Sequence, residues 1–427
     1  MPTIEQITAR EILDSRGRPT VKAYCRLSSG ASASASVPSG ASTGAAEAME
    51  LRDGDKKRHA GLGCRTAAAN VGGELQRALA SKPFTNDGSG QEALDRTMLT
   101  LDGTANKGRL GANALLATSL AFARAVANER KTPLYLHFAD LLGKRPTTMP
   151  RLTVNLFSGG KHAGGQVCIQ DVLVVPIAAT TVDDSLVATT AVYKAASDMI
   201  TKRYGQRILR ADEGGLAPPC ASAEAMITDA ITSIRDAGLT PGKDVSLALD
   251  VASSHFYANG RYQLDNESLD GNGMAARMTE WSERFPLVSL EDGLAEEDWP
   301  HWAKLRASIR NGTAVLGDDL LCTNPTRIQQ AINAKAANAL LLKVNQIGTL
   351  SEALAAYRLA RSANWRVTVS ARSGETEDDW LADLAVGWSA DWIKIGSITQ
   401  SERLAKYNRL LEIEASERWP VITHQPY

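Results

Sequence analysis

The stretch Ala339-Leu340-Leu341-Leu342-Lys343-Val344-Asn345-Gln346-Ile347-Gly348 sets the interpretation of the whole chain. It opens with a short, continuous apolar run, which is typical of a strand buried on both faces of a parallel sheet. The run ends at Lys343, so this lysine is predicted to lie at the end of the strand. Burial disfavours a charged amine, and we therefore expect a lowered pKa and a candidate general base. A lysine at a sheet edge that extends into water is the alternative.

Five further apolar runs end in charged residues, at intervals that fit a closed β/α barrel. With Lys343 included, one charged residue from each run falls at positions 250, 291, 318, 343, 372 and 394. Each interval leaves room for a helix that returns the chain to the start of the next parallel strand. Because the carboxyl ends of such strands meet at one mouth, we expect six side chains to converge there: Asp250, Glu291, Asp318, Lys343, Arg372 and Lys394.

Length and composition favour a large protein with reduced thiols. The 427 residues suffice for two domains, or for one barrel with an appendage. The chain has 47 Lys and Arg against 48 Asp and Glu, so its charge gives no reason to expect nucleic acid or an anionic membrane as a partner. The five cysteines form no CxxC pair, which favours free thiols over disulfides or a zinc site.

The N-terminal residues and the apolar runs predict a cytoplasmic protein. The first residues, Met-Pro-Thr-Ile-Glu-Gln, lack the basic and apolar segments of a signal peptide. No apolar run reaches the roughly 18 residues that a membrane span requires. We therefore expect no membrane partner.

Residues 1–146 are predicted to form an α+β domain that precedes the barrel. Residues 30–44 are mostly Gly, Ala and Ser, so they are interpreted either as an inert linker or as a mobile loop that closes over a ligand. The predicted elements of this domain are strands at Ile4–Ile7 and Thr20–Tyr24 and helices at Ala45–Arg52, around 65–80 and around 110–130.

The predicted barrel domain, residues 147–427, begins with two strands that carry further polar side chains. Strand Val154–Phe157 leads to a glycine-rich loop that holds His162, and the apolar strand Val167–Val175 contains Asp171. A buried carboxylate without a partner is costly, so Asp171 is expected to face a polar cavity or a partner.

Three of the predicted strand ends carry carboxylates that are suited to a hard cation: Asp250, Glu291 and Asp318. The set offers only oxygen ligands. Mg²⁺ is the natural occupant, because it is bound by a few carboxylates and completes its octahedron with water and substrate oxygens. Ca²⁺ and Mn²⁺ are weaker alternatives. In the other interpretation, the acids simply pair with the lysines and arginines of the same mouth.

A cation opposite a neutral lysine predicts a reaction class, the abstraction of a proton α to a carboxylate with stabilisation of the resulting ene-diolate. Departure of a β-hydroxyl would then need an acid, and Glu213 in its glycine-rich loop is the candidate, with a solvated turn acid as the alternative. Arg372 and Ser373, with backbone groups of the Ser39 loop, suit a phosphoryl group. Lys394 would pair with the carboxylate of the substrate.

Six motifs resemble those of the enolases, and the resemblance extends over essentially the whole chain. They are Ser39-Gly40-Ala41-Ser42-Thr43-Gly44, Asp212-Glu213-Gly214-Gly215, Leu290-Glu291-Asp292-Gly293, Gly317-Asp318-Asp319-Leu320, Leu342-Lys343-Val344-Asn345-Gln346-Ile347-Gly348 and Arg372-Ser373-Gly374-Glu375-Thr376-Glu377-Asp378. The resemblance implies an α+β domain followed by a modified β/α barrel, usually as a homodimer. It also implies the lysine base and magnesium of the enolase superfamily.

The resemblance assigns roles to individual residues. It implies Lys343 as the base and Glu213 as the acid. It implies a first Mg²⁺ on Asp250, Glu291 and Asp318, and a second Mg²⁺, bound with the substrate, that involves Ser39. The substrate-contact positions of the family fall on His162, Gln170, Arg372, Ser373 and Lys394.

Two residues depart from the enolase pattern inside the implied site. Ala371 replaces the histidine that precedes Arg-Ser-Gly-Glu-Thr, which removes an imidazole beside Arg372. Asp171 replaces the glutamate that follows Gln170, which withdraws a carboxylate of the catalytic set by about 1.5 Å. The base and the metal ligands are unchanged. We therefore expect retained proton abstraction and a pocket that accepts a larger group on the O2 side of the substrate.

Three functions fit these observations. The favoured one is that of the carboxyphosphonoenolpyruvate synthases, enolase relatives of phosphonate-antibiotic pathways of the phosphinothricin and bialaphos type. Their product carries a carboxyphosphono group where phosphoenolpyruvate carries phosphate, and the extra carboxylate would occupy the space beside Ala371. The second is glycolytic enolase, which dehydrates 2-phosphoglycerate. The third is a non-catalytic homologue, which would be expected to have lost the base or the metal ligands.

Overall fold

The computed structural model describes residues 1–41, 44–205, 207 and 209–423. Its strands are β1 (Ile4–Leu13), β2 (Pro19–Leu27), β3 (Ser32–Ser36), β4 (Arg151–Ser158), β5 (Asp171–Val175), β6 (Ser246–Asp250), β7 (Tyr257–Ala258), β8 (Arg261–Leu264), β9 (Glu267–Leu269), β10 (Leu287–Glu291), β11 (Ala314–Gly317), β12 (Ala339–Leu342), β13 (Arg366–Ser370) and β14 (Trp392–Gly396). Its α-helices are α1 (Arg65–Asn70), α2 (Gln76–Leu79), α3 (Gly88–Asp102), α4 (Ala112–Glu129), α5 (Leu134–Leu142), α6 (Gly160–Ala163), α7 (Val182–Tyr204), α8 (Ala223–Asp236), α9 (Gly271–Arg284), α10 (Trp299–Ser308), α11 (Pro325–Ala334), α12 (Val344–Ile347), α13 (Leu350–Ser362), α14 (Trp380–Gly387) and α15 (Ser401–Glu417). A π-helical turn, Val71–Leu75, joins α1 to α2, and 3-10 turns lie at His59–Gly61 and Ser253–Phe256.

The N-terminal part is an antiparallel sheet covered by helices. Strand β2 lies between β1 and β3. Its side chains alternate, since Val21, Ala23 and Cys25 are buried whereas Tyr24 is exposed, as expected for a sheet with one face on the core. Both predicted strands are present and longer than expected, and helices occupy the predicted ranges around 65–80 and 110–130.

The prediction of a helix at Ala45–Arg52 is wrong, because its backbone donors bind elsewhere in the protein. The N–H of Ala48 donates to the carbonyl of Gln346, and that of Met49 to the carbonyl of Asn106. These tertiary hydrogen bonds take the place of a helical ladder. The predicted loop 30–44 contains strand β3, and its residues Ser42 and Thr43 lie outside the described ranges.

The second part is a closed barrel that, among the described residues, has eight strands. Their order around the barrel is β4, β5, β6, β10, β11, β12, β13 and β14. The expectation of parallel strands fails at β5, which is antiparallel to both β4 and β6 and begins at Asp171 rather than at Val167. Asp171 lies opposite Ser158 at the end of β4 and Asp250 at the end of β6. A reversed strand therefore still delivers its carboxylate to the mouth where its neighbours end.

The barrel interior is a packed apolar core rather than a channel. The core keeps the polar side chains at the ends of the strands, as in other β/α barrels. Its buried residues are Leu173, Val175, Ala248, Val288, Ala314, Leu316, Ala339, Leu341 and Trp392.

Two expectations from composition concern the helices and the thiols. No helix in the described ranges is both long and apolar enough to cross a membrane. The five cysteines are free thiols, and all except Cys168 are buried.

Candidate active site

A small cavity at the mouth of the barrel brings most of the predicted site residues together. Its volume is about 10 Å³, which is room for about one water molecule, so a metabolite binds there only if the lining side chains move apart. Nine of its ten lining residues were predicted from the sequence, and Ser370 is the addition. The lining residues are His162, Gln170, Glu213, Asp250, Lys343, Ser370, Ala371, Arg372, Ser373 and Lys394.

Lys343 directly follows the last residue of β12, and its side chain contacts the carboxylate of Asp318. Its Nζ donates to Oδ2 of Asp318 at 2.5 Å, and its side chain is buried. Burial lowers the pKa of this amine, but the charges of Asp318 and Glu291 raise it, and the net pKa is raised. The expectation of a lowered pKa is therefore wrong, because the sequence pattern did not reveal the ion pair.

Lys394 on β14 joins the other two predicted metal ligands. Its Nζ donates to Oδ2 of Asp250 at 2.7 Å and to both carboxylate oxygens of Glu291 at 2.9 and 2.7 Å. Burial lowers the pKa of Lys394, but these two carboxylates raise it well above its ordinary value. The structure thus contains the ion pairs of the alternative interpretation, in which the acids pair with cations of the same mouth.

As ligands of a divalent cation the three carboxylates stay a prediction, since among the described residues they do not form one of the groups whose ligand atoms all lie within 4.8 Å of one another. Burial raises the pKa of Glu291, and the nearby charges of Asp250 and Asp318 raise it further, so like charges are crowded at this mouth. Asp318 also belongs to a group with Asp292 and Asp319 whose carboxylate oxygens lie within 4.8 Å of one another. All the donors are oxygens, the ligands that Mg²⁺ prefers, and bound Mg²⁺ would relieve the crowding.

Gln170 contributes a further oxygen beside Asp250. Its Nε2 donates to Oδ2 of Asp250 at 3.0 Å, which fixes the side chain. Its Oε1 is buried and has no hydrogen-bond partner in the described part of the chain. A buried acceptor at the edge of the cavity is suited to a ligand that carries a donor or a cation.

Asp171, His162 and Glu213 form a second group of buried ionisable side chains, whose ligand atoms lie within 4.8 Å of one another. Oδ2 of Asp171 lies 2.8 Å from Nδ1 of His162, and Oδ1 accepts a hydrogen bond from Ser158 at 2.6 Å. Nε2 of His162 lies 3.8 Å from Oε1 of Glu213, whose Oε2 accepts from Asn155. The partner expected for Asp171 is therefore present. His162 lies on the single turn α6 rather than in an open loop.

The pKa values of this group are shifted by burial and by one another's charges. Burial lowers the pKa of the imidazole, but the charges of Asp171 and Glu213 raise it to about 9. Burial raises the pKa of Glu213, yet His162 and neighbouring cations lower it overall. The role of Glu213 as an acid stays a prediction, and the lowered pKa of its carboxyl does not favour that role.

Arg372 is held by residues that the sequence did not single out. Its Nη1 donates to Oε2 of Glu47 at 2.9 Å and to Oδ1 of Asn345 at 3.1 Å, and its Nη2 donates to Oε1 of Glu47 at 3.2 Å. The Oγ of Ser373 accepts from Nη1 of Arg16 at 2.9 Å. Arg372 and Ser373, the pair predicted to bind a phosphoryl group, therefore line the cavity with a guanidinium and a hydroxyl group.

Ser39 lies beside these residues and is bound to arginines rather than to the three carboxylates. Its Oγ accepts from Nη2 of Arg52 at 2.8 Å and from Nη2 of Arg16 at 3.3 Å. Its backbone pairs with Gly374, N–H to carbonyl in both directions, at 2.8 and 3.0 Å. Its role as a ligand of a second Mg²⁺ stays a prediction.

Ala371 occupies the position where the enolase pattern has a histidine. It is 6% exposed and lines the cavity between β13 and Arg372. Its N–H donates to the carbonyl of Lys394 at 2.8 Å, which fixes the backbone. The cavity wall at this position is therefore the methyl group of Ala371 instead of an imidazole.

Sequence reasoning missed Glu47, Arg16 and Gln346. Glu47 was assigned to a helix, and no local signal marked it as a partner of Arg372. Arg16 lies between the two predicted strands Ile4–Ile7 and Thr20–Tyr24, and only the tertiary fold brings it to Ser373. Gln346 follows the predicted base by three residues and lies on the single turn α12. Predicting that turn from the sequence would have indicated Gln346 as a neighbour of Lys343.

Comparison with known protein families gives two matches that together span most of the chain. Residues 146–418 match the family model described as the enolase C-terminal TIM barrel domain. Residues 4–138 match the one described as the enolase N-terminal domain.

Proposed function

The chain belongs to the enolase family, and from that premise we propose that it is a magnesium-dependent enzyme that forms an enolpyruvyl product from a phosphonate substrate. The proposed activity is that of a carboxyphosphonoenolpyruvate synthase. The observation that carries it is the cavity wall at Ala371, beside an intact set of base and carboxylates.

In this proposal Lys343 removes the proton α to the carboxylate of the substrate. Its Nζ lies at the end of β12, in the same cavity as Lys394 and the carboxylate of Asp250. The amine has to leave its ion pair with Asp318 and lose a proton before it acts as a base. Bound Mg²⁺ would supply positive charge for the ene-diolate, held by Asp250, Glu291 and Asp318.

The residues around Ala371 are chemically suited to a larger anionic group. A substituent placed beside Ala371 has Arg372 and Ser373 as its immediate neighbours in the cavity wall. The guanidinium and the hydroxyl are suitable donors for phosphonate or carboxylate oxygens. Asp171 is held by its contacts with Ser158 and His162, and its carboxylate does not line the cavity.

We propose further that the chain acts as a homodimer in the cytoplasm and that it divides into domains 1–146 and 147–427. The two family matches, at 4–138 and 146–418, support a boundary near residue 146. The cationic groups that line the cavity, Lys343, Arg372 and Lys394, support a small anionic substrate.

Substrate preference tests the proposal. The purified protein with Mg²⁺ is assayed with 2-phosphoglycerate and with a phosphonate analogue that carries the additional carboxylate. We expect poor dehydration of 2-phosphoglycerate. We expect Ala371→His to lower kcat/KM for the larger substrate by about tenfold or more, because the imidazole fills the pocket.

The alternatives give different results in the same assay. Conversion of 2-phosphoglycerate at a normal enolase rate would overturn the proposal in favour of glycolytic enolase. Binding of both compounds without turnover of either would indicate a non-catalytic homologue. Asp171→Glu provides a second variant at the other departure, with the same expected direction as Ala371→His.

A further inference from the structure

A closed ring of hydrogen bonds links the predicted base to its facing carboxylate. The backbone N–H of Lys343 donates to Oγ1 of Thr323 at 2.9 Å, and that hydroxyl donates to Oε1 of Gln346 at 2.8 Å. Nε2 of Gln346 donates to Oδ1 of Asp318 at 2.8 Å, and Oδ2 of Asp318 accepts from Nζ of Lys343 at 2.5 Å. The ring therefore fixes both ends of the lysine.

The donors and acceptors of the ring allow one arrangement of its protons. Nε2 of Gln346 faces two carboxylates, Asp318 at 2.8 Å and Glu47 at 3.4 Å, so the amide nitrogen has to lie on that side. Its oxygen then faces Thr323, whose hydroxyl donates to it and accepts from Lys343. Both Gln346 and Thr323 are fully buried, so water does not compete for these groups.

The backbone at Thr323 gives independent support for a functional role. Thr323 has φ of +50° and follows Cys322 at +47°, so two non-glycine residues in succession adopt the left-handed region. This conformation is rare for a β-branched residue and costs on the order of 1–3 kcal/mol. The turn that connects β11 to α11 bears this strain while it directs a hydroxyl at the backbone of Lys343.

We propose that Thr323 and Gln346 are positioning residues for proton abstraction: Thr323 fixes the backbone of Lys343 and Gln346 fixes the carboxylate of Asp318, so that both stay in place when the amine leaves its ion pair. This inference rests on the proposed function. Small displacements of a reacting group are costly, since an error of about 1 Å is able to lower a rate by a factor of about 100. Neither residue lines the cavity, so each acts through Lys343 and Asp318 rather than by contact with the substrate.

The first test compares Thr323→Val with Thr323→Ser. Valine keeps the shape and the β-branch but removes the hydroxyl, whereas serine keeps the hydroxyl. We expect Thr323→Val to lower kcat by about tenfold or more with little change in KM, and Thr323→Ser to retain most of kcat. Thr368→Val is the matched control, because Oγ1 of Thr368 is buried in β13 without a hydrogen-bond partner among the described residues.

The second test does not require turnover. Reductive methylation of the ligand-free protein is followed by mass spectrometry, and the labelling of Lys343 is divided by that of Lys394. Lys394 lies at the same mouth, but its partners Asp250 and Glu291 stand outside the ring. We expect this ratio to rise severalfold in Thr323→Val and in Gln346→Leu, because the lysine is less restrained.

The outcomes separate the inference from the proposed function. A wild-type labelling ratio in Thr323→Val, together with wild-type kcat, would overturn the positioning role. An equal fall of kcat in the Val and Ser variants would also overturn it, since the hydroxyl would then be irrelevant. If the wild-type protein turns over none of the substrates, the proposed function fails, and the labelling ratio alone decides whether the ring restrains Lys343.

Discussion

Two buried lysines divide the three predicted metal ligands between them. Lys343 pairs with Asp318, and Lys394 pairs with Asp250 and Glu291. In the absence of a bound cation, each lysine offsets charge that would otherwise be costly to bury. The ammonium groups and Mg²⁺ are therefore expected to compete for the same oxygens.

Replacement of Lys394 tests this competition. Lys394→Met leaves Asp250 and Glu291 without their shared cation, and breaking a buried ion pair costs about 3–5 kcal/mol. We expect a lowered melting temperature without Mg²⁺, and a larger rise on addition of Mg²⁺ than the wild-type protein shows. Thermal unfolding over a Mg²⁺ titration measures both.

Another buried lysine, Lys406, supplies the control. Lys406 is also fully buried and bound to Glu375 at 3.0 Å, but it lies on α15 and does not line the cavity. Lys406→Met should lower stability without enlarging the effect of Mg²⁺. An equal response to Mg²⁺ in the two variants would argue against Asp250 and Glu291 as metal ligands.

At the scale of single residues, the sequence predicted positions better than protonation. Lys343 and Lys394 occupy the expected strand ends because a short apolar run with a charged terminus has few other solutions in a barrel. The pKa of Lys343 was predicted in the wrong direction because it depends on Asp318, which lies 2.5 Å away but 25 residues earlier in the chain. A pattern of residue types contains no such distance.

At the scale of elements, strand β5 shows which part of the barrel was beyond prediction. Its apolar run indicates a strand but not a direction. The connection from β4 holds only the single turn α6, which is too short to return the chain to the far end of the barrel, so β5 runs antiparallel. Segment 45–52 fails for a related reason, since its hydrogen-bond partners Gln346 and Asn106 are distant in sequence.

Helix α5 carries a histidine that should make stability depend on pH. His137 is buried, and its Nε2 has no hydrogen-bond partner within the described ranges. Burial, followed by the charge of Arg130, lowers its pKa to about 4. Between pH 6.5 and 4 the unfolded chain binds a proton that the folded protein excludes, so this contribution is complete above pH 6.5 and is lost as pH falls.

Substitution of His137 measures that contribution. From pH 7 to pH 5 the wild-type protein should lose about 2 kcal/mol of unfolding free energy through this residue. His137→Gln should lose correspondingly less, and His59→Gln, at an exposed position, should follow the wild-type curve. Denaturant unfolding at the two pH values provides the comparison. Identical pH dependence in wild type and His137→Gln would contradict the prediction.

At the scale of the whole molecule, the N-terminal sheet and the barrel meet beside the cavity. Ser39 pairs through its backbone with Gly374, and Arg16 from the β1–β2 turn binds Ser373. Farther from the cavity, Arg124 on α4 donates to Asp378 at 2.6 Å. The contacts that join the two parts thus include neighbours of the predicted substrate arginine.

Gly374 is the tightest point of this junction. A Cβ atom there would lie 2.2 Å from Oδ2 of Asp14, 2.4 Å from Nη2 of Arg16 and 2.8 Å from the carbonyl of Ser39. Gly374→Ala should therefore lower stability by about 1–3 kcal/mol, and it should also lower activity because Ser39 and Ser373 are displaced.

Gly72 offers the matched control for this substitution. A Cβ atom at Gly72 meets nothing within 4 Å, so Gly72→Ala should be neutral or stabilising by about 0.4–1 kcal/mol. Unfolding free energies and kcat of the two variants are compared with wild type. Wild-type stability and activity in Gly374→Ala would show that the junction is looser than the structure indicates.

The overall architecture was easier to predict from the sequence than the contacts between the N-terminal part and the barrel. Repeated apolar runs that end in charged residues predicted a barrel, and an α+β domain was expected before it in the chain. The contacts of Arg16 and Glu47 with the site depend on how two folded parts dock. No periodicity in either part encodes that geometry.

The most direct measurement is the exchange of the α-hydrogen of the substrate with solvent. Wild-type protein and Lys343→Ala are incubated in ²H₂O with Mg²⁺ and either 2-phosphoglycerate or the larger phosphonate, and deuterium at the α-carbon is followed by NMR. We predict exchange with the wild-type protein and a rate lower by about 100-fold or more in Lys343→Ala, with the effect of Mg²⁺ on melting temperature retained. Exchange at the wild-type rate in Lys343→Ala, or none with the wild-type protein, would contradict Lys343 as the base.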